Sequence, residues 1–347
     1  MKGSIGLLVL ACLSGLLQGA HAHTQTRHIL FVMTDGLRWQ EIFAGSDPSL
    51  LEKGKSAVAR EALMPFLWSV VSKQGQILGN RNAGSDAYVT NRFHFSYPGY
   101  SETFCGFADP RVSSNDKIPN PNATVFEWLH KKAAYRGQIA AFGAWDVFPF
   151  IFNTERAGFP VNAGYDPLTS IPGTPRLELL NRLKAETPRV WEDEPFDFMP
   201  FHTALEYVRA RNPKILYLSL GETDEWAHAG KYTEYLTAAH RVDAYLRELW
   251  EMLQSIPEYR GNTTLIFSPD HGRGDGPEWK THGEKVPDSK YIWIAFLGPD
   301  TAALGERRHV PAVTQDQIAA TLAAFLGEDY PAEVPRAGKP IADVLPR

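Results

Sequence analysis

Five continuous apolar runs divide the chain, and a polar residue or a glycine follows most of them. They read "HILFVMT" (28–34), "GQIAAFG" (137–143), "KILYLSL" (214–220), "TTLIFSP" (263–269) and "YIWIAFLG" (291–298). A strand with one solvated face alternates apolar and polar residues, whereas a strand buried on both faces is apolar throughout. These runs therefore predict strands inside a covered sheet.

Helical patterns lie between the apolar runs, at 62–74, 124–134, 201–212, 232–253 and 314–327. Asn122 precedes the second pattern and is predicted to cap that helix. Strands that alternate with helices predict an α/β fold of three layers, α/β/α, around a mostly parallel central sheet. In such sheets ligands bind beyond the carboxyl ends of the strands.

The segment 144–200 follows a different pattern, because it is rich in proline, phenylalanine, glycine and asparagine. Only a short helix near 176–185 is predicted within it. We expect an insertion over the sheet edge that acts as a lid or contacts substrate, inside a single domain spanning 23–347. An ordinary long surface connection is the alternative.

The composition indicates a globular protein. The 347 residues are 44% hydrophobic and 12% aromatic, with a formal net charge of −5. This is typical of a globular chain with a large core. No basic face is indicated, so binding of a nucleic-acid duplex is not expected. Cys105 is the one cysteine beyond the N-terminal leader; it cannot form an intrachain disulfide and is predicted to be buried.

The N-terminus has the pattern of a secretory signal peptide. Lys2 is followed by the apolar stretch "IGLLVLACLSGLL" and by "AHA" at 20–22, which predicts a signal peptide over 1–22 with cleavage after Ala22. A stable membrane span is not predicted, because a span needs about 20 apolar residues. We expect a periplasmic or secreted protein; lipid anchoring at Cys12 is the alternative.

Three aspartates each follow a predicted strand, at positions 35, 224 and 270. A single aspartate at a strand end is usually a turn or cap residue. Parallel strands, however, would bring all three to the same edge of the sheet. Three clustered carboxylates would repel one another and be costly to bury without a counter-charge. The pattern therefore predicts a polar site at this edge.

Histidines accompany these aspartates. His228 lies four residues after Asp224, so a helical turn there would place both side chains on one face. His271 follows Asp270, and His282 lies in the glycine-rich stretch beyond. Three carboxylates and three imidazoles suit two metal ions, since a catalytic zinc takes about three protein ligands. Mixed imidazole and carboxylate ligands favour Zn²⁺, with Mn²⁺ as the alternative. A buried polar network without metal is the competing interpretation.

The stretch "FSYPGYSE" offers a nucleophile. Pro98 suits the first turn of a helix, which would place Ser96 at a helix N-terminus, where backbone N–H groups favour an anion. A metal ion would favour the serine alkoxide. Ser101 and Thr90 are rival candidates, and a plain capping role for Ser96 is the alternative.

Taken together, these motifs resemble the alkaline-phosphatase superfamily, and are most similar to its nucleotide pyrophosphatase/phosphodiesterase-like and phosphomutase-like branches. The resemblance runs from "FVMTDGLRWQEIF" through "SYPGYSE", "GETDEWAH", "SPDHGRG" and "THG" to "TQDQIAATLAAFLG", nearly the whole mature chain. It implies an alkaline-phosphatase-like fold and a metal-dependent hydrolase of phosphoric esters.

The resemblance also implies roles for individual residues. Two zinc ions would be held by two sets of ligands: Asp35, Asp270, His271 and the nucleophile Ser96 in the first, and Asp224, His228 and His282 in the second. Ser96 would attack phosphorus and form a phosphoserine. Asn115 would donate a hydrogen bond to a phosphoryl oxygen.

The chain departs from the family pattern in several places. Diesterases have a threonine nucleophile and Asn-His where this chain has Gly99-Tyr100, and the sulfatase motif has an arginine at the position of Tyr100. Ser219 stands where monoesterases have an acidic ligand of a third metal. No arginine just after Ser96 is placed to bind a monoester dianion. The preference between monoester and diester therefore stays open.

The leading hypothesis is a secreted phosphatase or phosphodiesterase acting on a small-molecule phosphate ester. The alternatives are a sulfatase or another sulfuryl or phosphoryl transferase on the same scaffold, and a non-catalytic binding protein of the same fold. Nothing in the sequence indicates the oligomeric state or the natural substrate.

Overall fold

The computed structural model describes residues 24–346, so the predicted signal peptide and Cys12 lie outside the described residues. The strands are β1 (His28–Thr34), β2 (Gln76–Leu78), β3 (Ala87–Tyr88), β4 (Ile139–Gly143), β5 (Val161–Ala163), β6 (Ile215–Leu220), β7 (Thr263–Pro269), β8 (Ile294–Leu297), β9 (Gly305–Glu306) and β10 (Val313–Thr314). All five predicted strands are present. The bounds of β1 and β7 match the prediction, whereas β8 spans only Ile294–Leu297 of the predicted 291–298.

Eight of these strands form one sheet, in the order β5-β4-β6-β1-β7-β8-β2-β9. The five from β5 to β7 run parallel, whereas β8 is antiparallel to both of its neighbours. A separate parallel pair joins β3 to β10. The predicted mostly parallel central sheet is confirmed.

The α-helices are α1 (Trp39–Ala44), α2 (Arg60–Leu63), α3 (Ser72–Gln74), α4 (Ser96–Cys105), α5 (Val125–Lys131), α6 (Phe148–Ile151), α7 (Thr154–Ala157), α8 (Pro175–Glu186), α9 (Phe198–Arg211), α10 (Glu222–His228), α11 (Tyr232–Ser255), α12 (Gln317–Phe325) and α13 (Tyr330–Glu333). A π-helical turn spans Leu67–Val71, and short 3₁₀ turns span Arg81–Ala83, Gly276–Lys280, Pro287–Lys290 and Ala342–Val344.

Two apolar clusters, one on each face of the sheet, explain why the strands read as continuous apolar runs. Successive side chains of β1 alternate between them, because side chains along a strand point to opposite faces. Leu30 and Val32 join the cluster that includes the buried side of α11, while Ile29 and Phe31 join the cluster that includes α4 and α12. The predicted α/β/α layering is confirmed.

The predicted helix cap at Asn122 is wrong. The side chain of Thr124 caps α5 by accepting a hydrogen bond from the Glu127 amide at 3.1 Å. Asn122 instead donates to the Asp109 carboxylate at 2.9 Å. Both residues are acceptable caps, so residue type alone did not distinguish them. Cys105 is buried, as predicted.

The segment 144–200 is partly built into the sheet. It contains α6, α7 and α8 and supplies the edge strand β5, which pairs in parallel with β4. Its role as a lid stays a prediction. Among the helices between residues 24 and 346, none is long and apolar enough to cross a bilayer.

Candidate active site

Three adjacent parallel strands bring the predicted aspartates together. Strand β1 lies between β6 and β7, with Thr34 in register with Leu220 and Pro269. Asp35 therefore emerges beside Asp270, which directly follows β7, and beside α10, which carries Asp224. The carboxyl ends of parallel strands are the usual position for a binding site.

The first group of side chains surrounds His271 Nε2. This nitrogen lies 3.2 Å from Asp35 Oδ1, 3.4 Å from Asp270 Oδ2 and 3.4 Å from Ser96 Oγ. His271 Nδ1 lies 2.8 Å from the Gly272 carbonyl oxygen, so Nδ1 carries the proton and donates it. Burial lowers the pKa of His271 to about 4. The ring is therefore neutral, with the Nε2 lone pair facing the two carboxylates.

Two carboxylate oxygens in this group are buried without a partner. Gly36 N donates to Asp270 Oδ1 at 3.0 Å and Tyr100 Oη donates to Asp35 Oδ2 at 3.1 Å, but Asp270 Oδ2 and Asp35 Oδ1 have no hydrogen bond. Burial, followed by the charge of a neighbouring aspartate, raises the pKa of both carboxyls well above the usual range. Buried carboxylates need a counter-charge, so this donor set fits a bound cation.

The second group lies beside the first. His228 Nε2 is 3.0 Å from Asp224 Oδ2 and 3.0 Å from His282 Nε2. His282 Nδ1 donates to the His94 carbonyl oxygen at 3.1 Å, which leaves Nε2 free to face Asp224. His94 has a positive φ of 51°; such strain is uncommon and often accompanies functional sites. Here it aims the carbonyl that orients His282.

The two groups of side chains are adjacent. Ligand atoms of Asp35, Asp270 and His271 lie within 4.8 Å of one another, and so do those of Asp224, His271 and His282. His271 thus belongs geometrically to both sets. Imidazole and carboxylate donors in this mixture are typical of zinc sites.

Ser96 is the first residue of α4, which confirms the predicted helix start, and Ser96 is buried, at 6% exposure. The side-chain oxygen of Asn115 accepts a hydrogen bond from Tyr97 N, the next residue in the helix, at 3.0 Å. The amide NH₂ of Asn115 takes no part in that bond, and Asn115 lines the same cleft as Ser96.

The rival nucleophiles are occupied elsewhere. Ser101 Oγ accepts from Asn120 Nδ2 at 3.0 Å, and Thr90 Oγ1 donates to Glu102 at 2.9 Å. Neither lines the cleft that contains Ser96. Geometry therefore favours Ser96 over both.

A cleft of about 460 Å³ opens over the two groups. Its lining comprises Asp35, Ser96, Asn115, Asp116, Lys117, Trp145, Val147, Asp193, Glu194, Asp224, Glu225 and His228. A small phosphate ester would fit in a space of this size. Four of the lining residues come from the segment 144–200, where the sequence showed no readable motif.

Arg273 is a buried neighbour of the site that sequence reasoning missed. It is 1% exposed, and its Nη2 lies 2.8 Å from Asp224 Oδ1. Burial acts to raise the pKa of Asp224, but Arg273 and the hydrogen bond with His228 outweigh burial and hold it well below the usual range. Asp224 therefore stays ionised. The sequence did offer a signal, because Arg273 lies two residues after His271 in "DHGRG".

Gly99 explains how α4 approaches the site so closely. A Cβ atom at this position would lie 2.4 Å from the carbonyl oxygen of Asp270, far inside van der Waals contact. We predict that Gly99→Ala displaces α4, lowers the melting temperature and reduces kcat. Gly173→Ala is the matched control, since its Cβ would meet only Glu178 Oε1, at 3.5 Å. A Gly99→Ala protein with wild-type rate and melting temperature would contradict this packing.

Known proteins are similar to this chain over part of its sequence and in its fold. No family model matches the chain. A 2,3-bisphosphoglycerate-independent phosphoglycerate mutase from Haloarcula marismortui is 26% identical over 129 residues, which are 37% of this chain and 24% of the mutase. The chain thus matches about a quarter of the length of that curated relative.

Solved structures match over much more of the chain. Alkaline phosphatase PafA covers 94% of this chain and is itself covered completely, with a TM-score of 0.62 and 11% identity. An alkaline-phosphatase-superfamily protein from Vibrio parahaemolyticus covers 94% of this chain and 72% of its own, with a TM-score of 0.58 and 16% identity. Phosphonate monoester hydrolase SpPMH from Silicibacter pomeroyi covers 91% and 76%, with a TM-score of 0.57 and 14% identity. The chain has the fold of the alkaline-phosphatase superfamily.

Proposed function

We propose that the protein is a secreted or periplasmic metal-dependent hydrolase of small-molecule phosphoric esters, with Ser96 as its nucleophile. One observation carries the proposal. Ser96 Oγ, at a helix start, lies 3.4 Å from the lone pair of His271, next to two buried carboxylate oxygens that have no partner. A hydroxyl placed among cation ligands is the arrangement that activates a serine.

Two divalent cations would complete the site, with zinc favoured and manganese as the alternative. Asp35, Asp270 and His271 would hold one together with Ser96. Asp224, His228 and His282 would hold the other. Such ions supply positive charge that stabilises an alkoxide and neutralises phosphoryl oxygens.

Ser96 and Asn115 have separate roles in the proposed reaction. Ser96 Oγ forms a bond to phosphorus as the bond from phosphorus to the leaving oxygen breaks, giving a phosphoserine and a free alcohol. Water next attacks the same phosphorus and releases phosphate, or a phosphate monoester from a diester, while Ser96 recovers its proton. The NH₂ group of Asn115 donates to a phosphoryl oxygen in both steps, where such donors are worth about 10²–10³-fold in rate.

The test is a rate comparison on nitrophenyl esters with metal analysis of the same sample. We expect hydrolysis of a nitrophenyl phosphate monoester or diester to exceed hydrolysis of the sulfate, about two metal ions per chain, loss of activity after chelation, and recovery with Zn²⁺. Faster sulfate hydrolysis, with a formylglycine at position 96 by mass spectrometry, would indicate a sulfatase. Metal-free protein that hydrolyses none of the esters would indicate a binding protein.

A further inference from the structure

The cleft wall beyond the two histidine groups is strongly acidic. Carboxylates of Asp116, Asp193, Glu194 and Glu225 line it, against a single ammonium, that of Lys117. Lys117 Nζ already lies 2.7 Å from Asp146. Acidic side chains therefore outnumber basic ones in this wall.

No internal cation balances this wall among residues 24–346. None of its four carboxylates forms a salt bridge with a lysine, arginine or histidine in the described part of the chain. Among residues 24–346, the cleft lining also includes no arginine. A substrate with extra negative charge near its phosphoryl group would be repelled here.

Glu194 is the buried member of this wall. It is 6% exposed and its Oε1 has no hydrogen-bond partner. Its carboxyl group lies over Gly221, where a Cβ atom would come within 1.5 Å of Oε1. Tyr165 Oη donates to the Glu194 carbonyl oxygen at 3.1 Å and holds this loop in place. A buried carboxyl oxygen without a partner is suited to a donor or cation from outside the chain.

Trp145 adds an aromatic surface to the same wall. Its indole Nε1 donates to Asp193 Oδ2 at 2.9 Å, and the residue is only partly buried. The hydrogen bond fixes the ring beside the carboxylates. An aromatic face next to carboxylates is the usual environment for an ammonium or quaternary ammonium group.

We infer that the part of this wall formed by Trp145, Asp193, Glu194 and Glu225 binds an ammonium group of the substrate. The substrate class is then a phosphate ester of an amino alcohol, with either a primary or a quaternary amine. The inference rests on the proposed function and names the substrate class of the same site.

The test compares esters that differ only in that charge. Phosphocholine is paired with 3,3-dimethylbutyl phosphate, in which carbon replaces the charged nitrogen, and the p-nitrophenyl diesters of the same two alcohols form a second pair. In the ester class that the enzyme hydrolyses, we expect kcat/KM to favour the charged member about tenfold or more. Phosphoethanolamine in place of phosphocholine distinguishes a primary from a quaternary amine.

Substitutions in the wall test which side chains favour the charged ester. Glu194→Gln and Asp193→Asn should bring the ratio of charged to neutral kcat/KM toward one, whereas Glu192→Gln, an exposed neighbour outside the cleft, should keep the wild-type ratio. Equal kcat/KM for both members in the wild type would overturn the inference and leave the proposed function standing. Loss of a bound metal ion in Glu194→Gln would also overturn it. Failure to hydrolyse any of the esters would instead count against the proposed function.

Discussion

Ser96→Ala is expected to lower kcat by at least about 10³-fold, as removal of a nucleophile does in enzymes that form a covalent intermediate. Metal content should stay near two ions per chain, because all six proposed aspartate and histidine ligands remain. The fold should also persist, since Ser96 begins α4 without capping it: no side-chain cap hydrogen bond exists there, and the cap position is Phe95.

Ser101→Ala is the matched control for this variant. It removes the same atom from the same helix, but Ser101 Oγ faces Asn120 and Cys105 rather than the cleft. We expect near-wild-type kcat for this control. Turnover that is unchanged in Ser96→Ala, at full metal content, would remove Ser96 from the mechanism.

Asp270→Asn is expected to lower metal occupancy and, with it, kcat by more than tenfold. Asp270 is 0% exposed, and its Oδ1 is held by the Gly36 amide. An asparagine would keep its carbonyl oxygen on that N–H and place an NH₂ group where Oδ2 now lies. That exchange substitutes a neutral donor for an anionic ligand next to His271.

Asp275→Asn is the control for Asp270→Asn. Asp275 lies in the same glycine-rich loop and accepts a hydrogen bond from Gly276 N at 2.9 Å, which an asparagine can also do. Metal analysis by mass spectrometry, alongside kcat, should separate the two variants. An Asp270→Asn protein with full metal content and full rate would exclude Asp270 as a ligand.

The parallel part of the sheet and its site edge were predictable because their signals are local. The run at 28–34 coincides with β1. The aspartates that follow the buried strands were expected to cluster, because the carboxyl ends of parallel strands meet at one edge of the sheet. The antiparallel direction of β8 was not predicted. An apolar run records burial on both faces but carries no information about direction.

Contacts between distant segments could not be read from the sequence. Glu194 reaches Gly221 from a segment without periodic pattern, and the backbone of His94 orients His282 across 188 residues. Both depend on how loops pack. The resemblance predicted that Asn115 donates a hydrogen bond to a phosphoryl oxygen. The structure shows its side chain accepting a hydrogen bond from Tyr97 N; its role in binding phosphate stays a prediction.

In the proposed mechanism, Ser96 carries the phosphoryl group between substrate and water. Its most direct test is mass spectrometry of the zinc-loaded protein, acid-quenched during turnover of a nitrophenyl phosphate. We expect a phosphoryl group on the peptide that contains Ser96, absent before substrate is added and absent in Ser96→Ala. Sustained turnover with that peptide unmodified at every quench time, or with the phosphoryl group on another residue, would contradict it.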